Sequence, residues 1–189
     1  MTAKIKLNAA SGGGSVSIQA PSSSSNNRVM TLPDSADGNI VPSNYGNSFL
    51  AYLSADATIA NATTTAVVCN TEVFDLGGAY DTSNGRFTPN VAGIYWIRTQ
   101  VIWSTSSSAT NNAYYSLHAN KNGIRQFQDI IHIETQDWWS SECSGLVQLN
   151  GSSDYMTIDV YQNRGGNENI EAGDVAKTRF EAHWVRALT

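Results

Sequence analysis

Nowhere in these 189 residues do apolar side chains run unbroken for the ~20 positions that a membrane-spanning helix requires. Charge is scarce too. Asp, Glu, Lys and Arg make up 14% of the chain, against roughly 25% in ordinary soluble domains. The 11 basic residues stand singly and the net charge is −5, which excludes the clustered Lys/Arg stripe that nucleic-acid binding needs. Two cysteines, Cys69 and Cys143, are too few for a disulfide framework. They read as small buried apolar residues, with a pairing between them left open. His118, His132 and His183 share no i,i+4 or Cys-x-x-Cys spacing, so no zinc site is expected. Gly12-Gly13-Gly14 opens no helix and cradles no phosphate, and no nucleophile elbow or dinucleotide fingerprint occurs. The sequence therefore offers no catalytic, metal-binding or cofactor-binding residue, and no enzyme is expected. After Met1 to Lys6 come Ala, Ser and Gly rather than an apolar run, so no signal peptide is read and assembly in a host cytoplasm is expected. Helical periodicity is missing throughout.

Strand periodicity fills that gap. Hydrophobic residues make up 41% of the chain, enough for a core. Ser, Thr, Asn and Gly supply the polar surface and suit strands and turns. At the front, Lys4-Ile5-Lys6-Leu7, Ser15-Val16-Ser17-Ile18 and Val29-Met30-Thr31-Leu32 alternate at period two. They are too short to hold a core alone. From Phe49 onward about ten short strands are expected. The strongest runs from Ile94 to Trp103: Tyr95, Ile97, Thr99, Val101 and Trp103 share one face, with Trp96, Arg98, Gln100 and Ile102 on the other. Aromatics on both faces predict a central strand covered on both sides. Asn84-Gly85 and Asn122-Gly123 read as type I′ hairpin turns. Asp81 to Gly85 supplies too few carboxylates for a calcium loop and suits an Asx turn. Gly93 is expected to give the long strand a sharp entry. These features predict an all-β sandwich, barrel or jelly roll.

The segment 73–97 carries Tyr80-Asp81, then Gly85-Arg86-Phe87-Thr88, then Gly93-Ile94-Tyr95-Trp96. It resembles the signature of the jelly-roll family of complement heads and tumour-necrosis-factor-like proteins. Phe49-Leu50-Ala51-Tyr52 is similar to that family's first strand, Asn120-Lys121-Asn122-Gly123 to its hairpin and Phe180 to Trp184 to its last strand. The likeness spans residues 49–188 and implies a ten-stranded jelly-roll sandwich that assembles as a homotrimer. On that basis Tyr80, Phe87, Tyr95, Ile97, Trp103, Tyr115, Phe180 and Trp184 are the candidate core or trimer-interface residues.

The front of the chain, Lys6 to Pro21 followed by Val29 to Asp34, resembles an N-terminal module of marine and cyanobacterial phage virion proteins. That likeness implies a division into an anchoring arm, 1–42, and a knob, 43–189. Ile5, Leu7, Val16, Ile18, Val29 and Leu32 are the candidate anchor residues. The expected role is a trimeric bacteriophage surface knob, fibre or capsid decoration. Its arm grips other virion proteins of capsid or tail, and its position is the virion surface. A bacterial surface or secreted adhesion module of the same fold, binding glycan or protein, is the alternative. The polar loops 104–112 and 163–173 are expected to be distal and free of core duty. Trp138 and Trp139, flanked by Glu134, Asp137 and Glu142, suit either host-glycan stacking or a covered trimer edge. With Asn111 and Asn112 they are the candidate host-contact residues.

Overall fold

The computed structural model describes residues 4–8, 11–19, 23, 46–104, 113–132 and 138–188, with backbone alone at positions 4, 16, 19 and 138. Two compact units divide the chain, 1–40 and 41–189. Among the described residues there are fifteen strands and no helix.

In the first unit the period-two segments form an antiparallel hairpin. β1 (Lys4–Asn8) pairs with β2 (Ser15–Gln19), placing Ile5 opposite Ile18 and Leu7 opposite Val16. The turn passes through Gly12 and Gly13, both at positive φ. Ile5, Leu7 and Ile18 remain exposed. A lone two-stranded hairpin is marginal in water. Val29 and Leu32 lie outside the described residues.

The second unit folds as two sheets packed face to face. One sheet places β6 (Thr71–Leu76), β3 (Ser48–Tyr52), β15 (Arg179–Arg186) and β9 (Gly93–Ser104) side by side. β12 (Trp138–Leu149) pairs along the free side of β9, while β14 (Glu168–Ile170) and β4 (Ala57–Ile59) extend the sheet near Trp103. The other runs from β11 (Ile124–His132) through β10 (Tyr114–Lys121) and β13 (Met156–Gln162) to β8 (Arg86–Phe87) and β7 (Tyr80–Asp81), with β5 (Thr65–Ala66) also on β13. This is the expected jelly-roll sandwich, with short accessory strands raising the count above ten.

Alternation decides the core. Along β9 every second residue is buried, and Tyr95, Ile97, Thr99, Val101 and Trp103 point between the sheets. Phe49 stacks on Tyr80 at 4.3 Å and on Phe87 at 4.8 Å, and meets Phe180 edge-on at 5.0 Å. At the other end Trp103 packs on Tyr115 at 4.5 Å. Three of these rings have their polar tips hydrogen-bonded. Tyr80 donates to the Cys69 carbonyl at 2.8 Å, Tyr95 to the Val91 carbonyl at 2.7 Å and Trp103 to the Ser141 hydroxyl at 3.1 Å. Cys69 and Cys143 are free and buried, and burial pushes each thiol up to about 12.

Four expectations change. The outer face of β9 is not covered within the subunit; its residues stay half-exposed. Asn84-Gly85 is not a type I′ turn, because only Gly85 has positive φ. The Asp81 carboxylate instead caps a longer loop, accepting from the Ser83 amide at 2.9 Å and the Asn84 side chain at 2.6 Å. The turn at Asn122-Gly123 does carry positive φ at both residues. Gly93 serves close approach rather than a sharp entry: a Cβ there would lie 2.4 Å from the Trp184 indole nitrogen.

The fourth change concerns the segment 163–173, which is structural. Arg164 and Glu168 are fully buried and pair at 3.8 Å, with the guanidinium 5.5 Å from the Tyr115 ring centre. Gln162 ties the loop down, accepting from the Arg164 amide at 2.8 Å and donating to the Gly166 carbonyl at 2.8 Å. Ile170 and Ala172 join the core. Residues 105–112 of the other nominated loop lie outside the described residues.

Removing one member of this buried ion pair takes a counter-charge away from the other. Arg164→Ala is expected to cost about 3–5 kcal/mol of unfolding free energy in denaturant titration. Phe49→Ala, which empties the centre of the aromatic stack, is expected to cost a similar ~3–5 kcal/mol. A loss below ~1 kcal/mol in either would contradict these placements.

Candidate functional site

Since one face of β9 fills the core, the residues between must project from the opposite side. Register then builds that outer face row by row. Leu146, Trp96, His183, Ser48 and Leu76 lie across β12, β9, β15, β3 and β6. The next row is Ser144, Arg98, Glu181, Leu50 and Phe74. Trp96 stacks on His183 at 6.0 Å and 24°. Leu146 and Leu76 are 62% and 63% exposed, and Leu50, Phe74, Trp96 and Ile102 are half-buried. A central strand with aromatic and aliphatic side chains on an uncovered face is unusual for a solvated sheet, where polar residues alternate outward.

Arg98 sits in the middle of this surface. Its Nε and one terminal nitrogen each donate to a Glu142 oxygen at 2.7 Å, a bidentate pair, and its other nitrogen donates to Glu181 at 3.1 Å. Strands β12 and β15 flank β9, so the guanidinium is clamped from both sides. The Arg98 hydrogen bonds hold the Glu142 carboxyl below its ordinary value of 4.5. The flat fork of an arginine suits such a carboxylate pair and loses little rotamer freedom on binding it.

Seven of the eight nominated core or interface residues face inward. Tyr80, Phe87, Tyr95, Ile97, Trp103, Tyr115 and Phe180 are buried within the subunit. Trp184 is half-buried and packs against the core. Within the subunit these seven side chains are therefore core residues. Trp139 is 41% exposed at the start of β12. Glu142, nominated beside it for holding a sugar, is committed to Arg98 instead. Asn111, Asn112, Glu134 and Asp137 lie outside the described residues, as does the side chain of Trp138. Among the described residues no three His, Cys, Asp or Glu side chains converge as a metal site.

With this geometry in place, comparison with known proteins is informative. The family model for the C1q domain matches residues 48–173. The chain belongs to the C1q domain family. The match ends before β15, yet β15 lies between β9 and β3 and completes the same sheet of this C1q domain. The solved globular domain of zebrafish complement 1qA protein is similar in fold, with a TM-score of 0.51 and 13% identity over 76% of this chain and 98% of that one. Murine APRIL at pH 5.0 is similar at a TM-score of 0.55 and 14% identity, covering 74% of this chain and 99% of that one. No curated protein matches the sequence.

The sequence marked Trp96 and Arg98 as outward residues but could not name their partners. Glu142 and Glu181 lie 44 and 83 positions from Arg98, and only strand order brings them together. His118 and His132, which share no sequence spacing, prove to lie on adjacent strands.

The pH dependence follows from the sign of the Glu142 shift. A carboxyl held low in the folded protein stabilises the fold above its ordinary value of 4.5, and that stabilisation is lost as pH falls through the lowered folded value. Glu142→Gln should therefore be less stable than the natural protein at pH 7 and converge on it as the pH falls through the lowered folded value, read from thermal midpoints. A constant difference across that range would show that the pair contributes nothing through charge.

Proposed function

We propose that three copies of this C1q domain associate through the β12–β9–β15–β3 face, forming a non-enzymatic recognition knob that the segment 1–42 anchors to a bacteriophage particle. The observation that carries the assembly is the uncovered outer face: Trp96, Leu146, Leu50 and Phe74 around the clamped Arg98. Covering those side chains with a second and third copy supplies apolar burial that the single subunit lacks, at about 25 cal/mol for each Å² removed from water. A closed threefold ring requires a heterologous contact, in which one part of this face meets a different part of the next copy. The resemblance of the fold to a family of trimeric jelly rolls supports the number three.

The virion setting rests on the front segment. Its resemblance to phage virion modules supports it, and so does the exposed apolar row of Ile5, Leu7 and Ile18, since a hairpin of this length needs a further sheet or surface to settle on. Trimeric display multiplies weak contacts into avidity, which suits a protein that touches a repetitive surface.

Sedimentation of the purified protein at micromolar concentration is expected to give three times its 20.4 kDa mass. Trp96→Glu, which places a charge in the seam, is expected to give a folded monomer. A natural protein that sediments as a monomer, or a Trp96→Glu variant that stays trimeric, contradicts the assembly. Deletion of residues 1–42 is expected to leave a trimer that no longer joins particles; a truncated protein still found on particles removes the anchoring role.

A further inference from the structure

The other sheet carries a groove that assembly through the β9 face does not use. Its cavity volume is about 500 Å³, within the roughly 300–1,000 Å³ of small-ligand sites. The floor is the outward face of β10, where Tyr114, Ser116 and His118 alternate with the core residues Tyr115 and Leu117. Register sets His132 of β11 opposite Tyr114 and Tyr161 of β13 opposite Ser116. Tyr114 and Tyr161 stack at 5.4 Å and 30°, and Tyr114 leans on the His132 ring at 5.9 Å.

Beneath this platform lies a polar network with no role in the core. His118, only 2% exposed, meets Asp159 through Nδ1 at 2.5 Å, and the Asn120 amide donates to the other Asp159 oxygen. That contact fixes the His118 ring in the lining of the groove. Arg125 is held at the rim by Gln128, which accepts from its guanidinium at 2.8 Å, and it lies 3.2 Å from His118. His118 is thus a buried polar side chain on the outward face of the sheet, hydrogen-bonded to an Asp159 side chain that stays 22% exposed.

The lining identifies the ligand's chemistry. In a protein of net charge −5, none of the residues lining the groove is Asp or Glu, and the Asp159 carboxylate behind it is held by hydrogen bonds with His118 and Asn120. Arg125 offers a planar fork shaped for a carboxylate. Thr64, Ser116 and the two tyrosine hydroxyls offer donors and acceptors suited to a polyol, and the stacked tyrosines an apolar face for a pyranose ring. We propose that this groove binds a hexuronate unit of an acidic polysaccharide, with its carboxylate on Arg125 and its ring against Tyr161. The proposal deepens the recognition role given above and rests on it only for where the polysaccharide is met; the groove is complete within one subunit.

Calorimetric titration of the full-length protein with tri-galacturonate and with its fully methyl-esterified form tests this directly. The acid form is expected to bind about tenfold more tightly than the ester, the worth of one charge-assisted contact. Arg125→Gln should remove that preference, Tyr161→Ala should weaken both forms, and both variants should keep the natural thermal midpoint. Equal binding of acid and ester, binding of neither, or saturation by inorganic phosphate or AMP in place of the saccharide would overturn the assignment. Repeating the titration on Trp96→Glu separates the two readings: the groove should bind in a monomer, so loss of assembly and loss of binding are read independently.

Discussion

Strand β9 has two demanding faces, and most of this molecule answers to that fact. Its inward residues, from Tyr95 to Trp103, fill the space between the sheets and are wholly buried. Its outward residues include an indole, an isoleucine and a guanidinium that the subunit's own chain leaves half-exposed. β12 and β15 pair along both sides of it, so neither can leave without exposing the backbone of the strand at the centre of the core. The bidentate contact from Arg98 to Glu142 and the single one to Glu181 then fix three strands in one register. Assembly, in this account, is the completion of a strand that the monomer covers on one side only.

Alternation in the sequence was enough to place the core. Phe49, Phe87, Tyr95, Ile97, Trp103 and Phe180 sit where a period-two reading puts them, because burial on one face of a strand is a local property of side-chain direction. The C1q domain was legible for the same reason: turn residues and aromatics recur at spacings that strands impose. What stayed hidden depends on strand order. Arg98 finds its partners only when β12 and β15 flank β9, and His118 finds Asp159 only when β13 lies beside β10. The loop 163–173 misled because polarity was equated with exposure; Arg164 and Glu168, four apart, neutralise each other in the interior. Their spacing was the available signal. Gly93 misled differently, since its glycine is required by the approach of Trp184 and not by its own backbone angles.

Charge is scarce in this chain, and three of its clusters have distinct settings. One ion pair sits on the outer face of the β9 sheet, one is buried behind Tyr115, and one network underlies the groove on the opposite sheet. The first sits on the face assigned to assembly, the second holds a loop into the core, and the third lies behind the groove proposed to take a ligand. Elsewhere hydroxyls and amides cap the turns. Asn150 accepts from the amides of Ser152, Ser153 and Asp154 within 3.0 Å. Asp154 in turn holds Asn122 and Lys121 at 2.8 and 2.9 Å. A knob built this way presents neutral loops and keeps its charges for specific tasks.

Side-chain oxidation footprinting reports most directly on whether the outer face of β9 is covered in solution. If subunits meet there, Trp96 and Leu146 should resist brief hydroxyl-radical labelling at micromolar protein, while Ile124, 69% exposed on the opposite sheet, labels freely. Labelling of Leu146 and Trp96 at the rates their exposure in a lone subunit dictates would contradict the account.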